Sequence, residues 1–242
     1  MSPAHFLSDL HLAPERPADA AAFRAWARGP ARGASAVYVL GDLFDSWLGD
    51  EQVAEPFSAD VVAQLAGIAR AGVPVHVMHG NRDFLLGERF AHAAGAALLP
   101  DSVVVEAGGV PTLLLHGDTL CTDDVDYQRY RAWIRDPARQ RKLLSLPWPV
   151  RRGFAAWMRR KSRNASRSKG PEIMDVNAGA VADAMRAAGV ARMVHGHTHR
   201  PASHELDVDG RRCERHVLAD WHGRAAWLEI DEAGAQRREL AA

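Results

Sequence analysis

Short apolar runs closed by Gly, Asp or Asn recur along the chain: Ala4 to Ser8, Ala36 to Leu40, Val75 to Met78, Thr112 to Leu115 and Arg192 to Val194. Runs this short, bounded by turn-forming residues, predict strands buried on both faces. Helical spacing fills the gaps between the early ones, over Ala18 to Ala27 and Ser58 to Ala71, and Gly72 followed by Pro74 is the order expected at a helix stop. Alternating strands and helices predict a layered α/β fold. Val103 to Val105 pairs with the Thr112 run across Gly108 and Gly109, and Glu214 to Leu218 and Ala225 to Ile230 read as adjacent antiparallel strands around a Trp-His-Gly turn. The expectation is two packed sheets flanked by helices.

Between Val125 and Lys169 the alternation stops and the text turns helical, with Asp136 and Pro137 as an N-cap and first helical position. We expect a single domain over 1–242 carrying a helical cap inserted at about 125–169. Met174 to Ala188 returns to the core, with Val176, Ala180, Val181 and Ala184 at helical spacing and Gly189 as its stop.

Composition narrows the function classes. Lys plus Arg and Asp plus Glu are 30 each, so no net charge steers the whole molecule towards nucleic acid or anionic lipid. Two cysteines are too few for a disulfide framework or a structural zinc site, which makes a reducing compartment the default. Met1 to Leu7 offers no basic n-region, and no window approaches the ~20 apolar residues of a spanning helix, so neither export nor membrane insertion is expected. What stands out is 12 histidines, several beside Asp, Gly or Asn at the ends of apolar runs.

Those polar clusters carry the chemistry. Asp9 and His11 follow the first run, Gly41 and Asp42 the second, and Gly80, Asn81, Arg82 and Asp83 the third; His116, Gly117 and Asp118 follow the Thr112 run, and Gly196, His197, Thr198 and His199 the Arg192 run. Carboxyl ends of strands are where ligand sites assemble in α/β sheets, so these loops are expected to converge. Carboxylate, imidazole and amide donors without thiolate suit iron, manganese, zinc or cobalt better than copper. A loop-tip carboxylate can bridge two ions, a role we assign to Asp42. The glycines beside Asp42, Asn81, His116 and His197 are expected to give tight turns, positive φ and close approach of backbone to a phosphate. His79, His195, Asp45, Asp83 and Asp118 are expected to support the ligands or the core.

The series Asp9-x-His11, Gly41-Asp42, Gly80-Asn81-x-Asp83, His116-Gly117 and Gly196-His197-x-His199 resembles the calcineurin-like metallophosphoesterase superfamily. The resemblance implies a four-layer β-sandwich flanked by helices, with Asp9, His11, Asp42 and His199 on one divalent ion and Asp42, Asn81, His116 and His197 on the other. Many members place histidine after the Gly-Asn pair, where this chain has Arg82. Arginine holds its proton at useful pH but can clamp phosphate oxygens. An alkoxide leaving group needs a proton and a phosphate leaving group does not, so Arg82 favours cleavage of a pyrophosphate, unless a histidine such as His195 supplies the proton.

The longer strings SDLHL, LGDLFDSWLGD, HGNRDFLLG, LLHGDTLCTDD, IMDVN and HGHTHRP, spread from near the start to about Trp221, resemble the bacterial UDP-2,3-diacylglucosamine hydrolase family. That resemblance implies water attack at the α-phosphorus of UDP-2,3-diacylglucosamine, yielding UMP and 2,3-diacylglucosamine 1-phosphate for lipid A synthesis, with Mn2+ as the usual activator. It implies catalytic roles for Asp42, Asn81, Arg82 and His197, and substrate contacts at Asn81, Arg82, Asp124, Ser162, Ser166, Lys169 and His197. Relatives carry Asn or Thr at the Ser166 position, and Tyr127 and Arg159 are further contacts from the cap.

From Arg151 to Lys169 the chain has basic residues at 151, 152, 159, 160, 161, 163, 167 and 169 and no acidic ones, preceded by Leu143, Leu144, Leu146, Trp148 and Val150 and interleaved with Phe154, Trp157 and Met158. A solvated helical hairpin, a nucleic-acid surface and an amphipathic surface for anionic lipid all fit this pattern. The family resemblance selects the third, so a monomer on the cytoplasmic face of the inner membrane is expected, without nucleic acid as partner. The alternative is a soluble nucleotide phosphodiesterase or nuclease of the same superfamily.

Overall fold

The computed structural model describes residues 2–157 and 175–241, so Arg159, Ser162, Ser166 and Lys169 lie outside the described residues. The first sheet contains β1 (Ala4–Leu7), β2 (Ala36–Leu40), β3 (Val75–Met78), β4 (Ala96–Leu99), β10 (Arg224–Asp231) and β11 (Gly234–Ala241), in the order β11-β10-β1-β2-β3-β4. The second contains β5 (Ser102–Ala107), β6 (Val110–Leu115), β7 (Arg192–His195), β8 (Ala202–Val208) and β9 (Arg211–Val217), in the order β5-β6-β7-β9-β8. β1 through β4 run parallel, as do β6, β7 and β9, so the carboxyl ends of each group share one edge.

Side-chain alternation explains the layering. On β1, Phe6 faces an inner cluster shared with Leu40, Met78, Leu114, Val194 and Leu228, while Leu7 faces an outer cluster with Phe23, Trp26, Leu65 and Phe90. That outer cluster is supplied by α1 (Pro17–Arg28), α2 (Pro56–Arg70) and α3 (Glu88–Ala94). The outer face of the second sheet packs Leu113, Leu115 and Met193 against Val181 and Met185 of a helix at Ala178–Ala188. The result is helix, sheet, sheet, helix. Among the described residues, three more helices lie between α3 and that last one: α4 (Val125–Ile134), α5 (Pro137–Leu144) and α6 over 148–157, which makes the helix at Ala178–Ala188 α7. Asp136 accepts from the Arg139 N–H and Asn177 from the Ala180 N–H, so side chains cap α5 and α7.

One pairing differs from expectation. Glu214 to Leu218 and Ala225 to Ile230 are not neighbours: β9 pairs with β7 and β8, whereas β10 pairs with β1 and β11. The linker crosses between sheets with Trp221 fully buried in the outer core and its indole N–H on Ala226 O at 2.9 Å. β10 is apolar because the first sheet buries it, whereas β9 buries only Cys213, His216 and Val217 in the second, and neither pattern names the partner. The pattern also missed α3 and β4, an Ala-rich stretch without clear period, and the edge strands β8 and β11, whose exposed side chains are polar.

His5 on β1 is buried between Trp26 and Trp227, with ring centroids 6.2 and 5.7 Å away. Burial lowers its pKa from 6.5, with Glu229 opposing the shift. The folded chain therefore takes up this proton less readily than the unfolded chain, so the contribution is complete above the unfolded value and is lost progressively as pH falls from there through the lower folded value. The fall in Tm from about pH 7.5 to about pH 5.5 should be smaller in His5→Phe than in the wild type; equal falls would show that His5 does not contribute to the acid side of the stability curve.

Candidate metal centre

The loops predicted to converge do so at the shared carboxyl edge. Backbone bonds knit them together: Asp9 N to Gly41 O at 3.1 Å, His11 N to Asp42 O at 2.9 Å, and Gly196 N to His116 O at 2.8 Å. Among the described residues, six non-glycine residues have positive φ, and five of them are Asp9 (56°), His11 (48°), Asp42 (54°), His197 (70°) and His199 (54°). Left-handed backbone costs a non-glycine residue ~1–2 kcal/mol, so strain here is concentrated on the donors themselves.

The glycines serve two purposes. Gly41 and Gly117 have the expected positive φ, 89° and 117°. Gly80 and Gly196 do not, and they are needed for space: a Cβ on Gly80 would lie 2.1 Å from Asp42 Oδ1, and one on Gly196 2.1 Å from Ser8 Oγ and 2.3 Å from Asp9 Oδ2. What approaches the backbone this closely is a carboxylate, rather than the phosphate expected.

Two overlapping donor groups result. His11 Nε2 and His199 Nε2 are 3.4 Å apart, and His199 Nε2 is 3.4 Å from Asp9 Oδ1. Asp42 Oδ2 lies 3.7 Å from His11 Nδ1 and 4.0 Å from His116 Nε2. Asn81 Oδ1 is 3.0 Å from both His116 Nε2 and His197 Nδ1. Asp9, His11 and His199, and again Asp9, Asp42 and His116, bring one ligand atom each within 4.8 Å of one another.

Divalent cations fit these residues. Asp9 Oδ2 accepts from Ser8 Oγ at 2.6 Å and from the His197 N–H at 2.8 Å, but Asp9 Oδ1 and His11 Nδ1 are buried with no hydrogen-bond partner among the described residues. Orphaned buried acceptors are rare in proteins, and a cation would satisfy them. Burial pushes His11 down to about 3, despite the Asp9 charge, and His197 to about 4, which keeps both rings in the neutral form that ligates. Burial raises Asp42, and the charges of Asp83 and Asp9 add to the rise against His116 and Arg82. A carboxyl in that position ionises most readily beside a positive ion.

Supporting contacts fix the rings. His116 Nδ1 donates to Leu40 O at 2.8 Å, which turns Nε2 towards the cluster. Asp83, fully buried, accepts backbone N–H groups of Gly80, Leu43, Asp42 and Phe44 and thereby holds two donor loops in register. Asp118 accepts from Tyr127 Oη and Arg131 Nε, both at 2.6 Å, so it ties α4 to the centre, and the Tyr127 ring stacks on His197 with centroids 6.0 Å apart. Asp124 caps α4 by accepting from the Tyr127 N–H. Arg82 is exposed, with Nη1 2.7 Å from Asp45 Oδ1 and its N–H on Asp42 Oδ1 at 2.8 Å. His79 bonds Leu86 O. His195 is fully buried, receives Arg215 Nη1 on Nε2 at 3.0 Å and donates from Nδ1 to Gly196 O at 2.8 Å, and burial pushes it down to about 3. Both its nitrogens are engaged, so it has no proton to give to a leaving group.

Sequence reasoning missed Asp220. Its Oδ2 accepts from His199 Nδ1 at 3.1 Å and lies 2.6 Å from His222 Nε2, which directs His199 Nε2 at Asp9 and His11. A lone Asp before the Trp-His-Gly segment carries no motif, and only the crossing of the chain between sheets brings it here.

Residues 3–201 match the family model of the calcineurin-like phosphoesterases, so the chain belongs to that family and is a divalent-metal hydrolase. Its curated relatives narrow the family further. It is 48% identical to the UDP-2,3-diacylglucosamine hydrolase of Aromatoleum aromaticum, over 95% of this chain and 93% of that protein. Proteins of the same name from Pseudomonas entomophila and Pseudomonas aeruginosa are 45% and 44% identical, with 95% of each chain covered in both comparisons. The subfamily is that of the UDP-2,3-diacylglucosamine hydrolases.

Supporting carboxylates on ligand histidines are typically worth ~10–100-fold in metal affinity. Asp220→Ala should weaken manganese binding by about that factor with the circular dichroism spectrum unchanged, and Asp220→Asn, which keeps an acceptor oxygen, by less. Wild-type affinity in the alanine variant, measured by calorimetry, would remove Asp220 from the site.

Proposed function

We propose that the enzyme hydrolyses UDP-2,3-diacylglucosamine by attack of water at the α-phosphorus, releasing UMP and 2,3-diacylglucosamine 1-phosphate for lipid A synthesis. Two Mn2+ ions are the proposed cofactors, with Asp9, His11, Asp42 and His199 holding one, Asp42, Asn81, His116 and His197 the other, and Asp42 shared. When bound, such a pair lowers the pKa of water and offsets charge on the phosphoryl oxygens. Asn81 and His197 also meet the phosphate, and Arg82, reaching out from Asp45, clamps its oxygens bidentately. The leaving group is a phosphate monoester that departs as an anion, which is consistent with a site where His195 is locked and Arg82 replaces an acidic ring.

The observation that carries this reading is a cleft of about 1100 Å³ beside the donor loops, walled by Leu12, Phe44, Leu48 and Phe57 on the core and by Trp148 and Ala156 on α6. It suits acyl chains, and α6 is the part of the helical cap that walls it. Among the described residues, the exposed large hydrophobics are Val104 and then Val125, Trp133, Leu144, Leu146, Val150 and Trp157, all six of the latter on the cap. A diacylated substrate leaves the bilayer at ~0.8 kcal/mol per CH₂, so an apolar cap that meets the cytoplasmic face of the inner membrane shortens that step. No helix among the described residues is long and apolar enough to cross a membrane. Arg151 belongs to a different part of the design than the basic patch suggested: it is buried, donates to Leu48 O at 2.7 Å and pairs with Glu51, anchoring α6 to the core. Arg152 remains exposed for anionic lipid. Asp124 and Tyr127 contact substrate from α4, and Arg159, Ser162, Ser166 and Lys169 complete the proposed set.

Manganese should stimulate UMP release from UDP-2,3-diacylglucosamine in detergent micelles, with kcat/KM at least about 100-fold above that for UDP-N-acetylglucosamine, because only the former fills the cleft. No UMP above a metal-free control would sink the reading, and comparable cleavage of cyclic nucleotides or single-stranded DNA would favour the soluble phosphodiesterase. Asp42→Ala should lose more than about 100-fold in activity while staying folded, since a shared ligand matters more than its supports; retention of most activity would end its bridging role.

A further inference from the structure

We propose that a second, smaller cavity beside the loop carrying His197 and His199 receives the uridine arm of the substrate, an inference that rests on the pyrophosphatase reading above. The cavity has a volume of about 280 Å³ and is lined by Asp175, Thr198, Arg200, His204, Arg215 and Val217 among others. Thr198 stands between two donor residues in the chain, and its Oγ1 is buried with no hydrogen-bond partner among the described residues. Arg215 reaches from the cavity wall to His195, and His204 on β8 faces Arg215 on β9 in the strand register.

Size and placement assign the two recesses to the two arms of a pyrophosphate. The large cleft adjoins the donors through Leu12 and Asp45, after β1 and β2, and the small cavity adjoins them through Thr198, after β7. Just below the usual range for small-molecule sites, the cavity is too small for two acyl chains and matches one ring with its ribose. Its chemistry suits an imide. Uracil offers two carbonyl acceptors flanking one N–H donor, and the wall presents an arginine–carboxylate pair, Arg200 with Asp175, whose edges supply donors and an acceptor side by side. His204 and the unsatisfied Thr198 hydroxyl add polar partners for the ribose.

The product itself is the probe. With the manganese-loaded enzyme, calorimetry should find UMP at least about tenfold tighter than ribose 5-phosphate, roughly 1.4 kcal/mol for the base, and tighter than AMP, whose larger ring overfills the space. In Asp175→Asn and in His204→Ala, an exposed position that the fold does not need, the ratio of UMP to ribose 5-phosphate affinity should fall to within about threefold. Equal affinity for the two ligands in the wild type, or a ratio that survives in both variants, overturns the assignment. UMP release from UDP-2,3-diacylglucosamine, measured on the same preparation, separates the two ideas. Release without any base preference removes the cavity and keeps the reaction, whereas UMP preference without release keeps a nucleotide site and removes the reaction.

Discussion

Two buried carboxylates, Asp9 and Asp42, govern the structure. Each ends a central strand of the first sheet, and each is gripped by the backbone of another strand end: Asp9 by Gly196 and the His197 N–H, Asp42 by Gly80 and the Arg82 N–H. The grip on Asp9 joins the first sheet to the second, because Gly196 follows β7. A carboxylate out of water needs donors or a cation, and one oxygen of Asp9 has no partner among the described residues. The bare glycines make room for these carboxylates at a dry edge between sheets, and the same burial keeps the His11 and His197 rings neutral against the pull of Asp9.

Most of this was legible in the chain because burial on both faces leaves unbroken apolar runs, and the loops after them carry residue types with few structural uses in combination. β1, β2, β3, β6 and β7 were readable for that reason, and every donor sits within four residues of one of those runs. Partnering was less legible. Leu218 and Ala225 flank a linker that reads as a hairpin turn, yet Trp221 is buried in the outer core and the strands diverge into separate sheets. Asp220 was invisible for the same reason, since its importance arises from where that crossover lands. Arg151 shows the converse: as one of a run of basic residues it reads as surface charge, and only its approach to Glu51 and Leu48 reveals an anchor.

The supporting network treats the two ends of the centre differently. His116, Asn81 and His197 are bound to one another and to α4 through Tyr127 and Asp118, whereas His199 is held by Asp220 on the segment that crosses between the sheets, and His11 lies against His199. Arg135, at the C-terminal end of α4, extends the first half by donating to Gly80 O at 2.8 Å, so α4 grips the same loop that presents Asn81 and Arg82. A displacement of α4 would therefore bear on one half of the centre more directly than on the other.

The position of β10 sets the order in which the molecule can be assembled during synthesis. β1 lies between β2 and β10 in the finished sheet, and β10 begins only at Arg224. One edge of β1 therefore stays unpaired until β10, far along the chain, has been made, because pairing between distant segments must wait for both. His197, His199 and Asp220 all emerge late in the same interval. A nascent chain thus cannot close its metal-binding ring early, and ion capture coincides with the final stitching of the sheet.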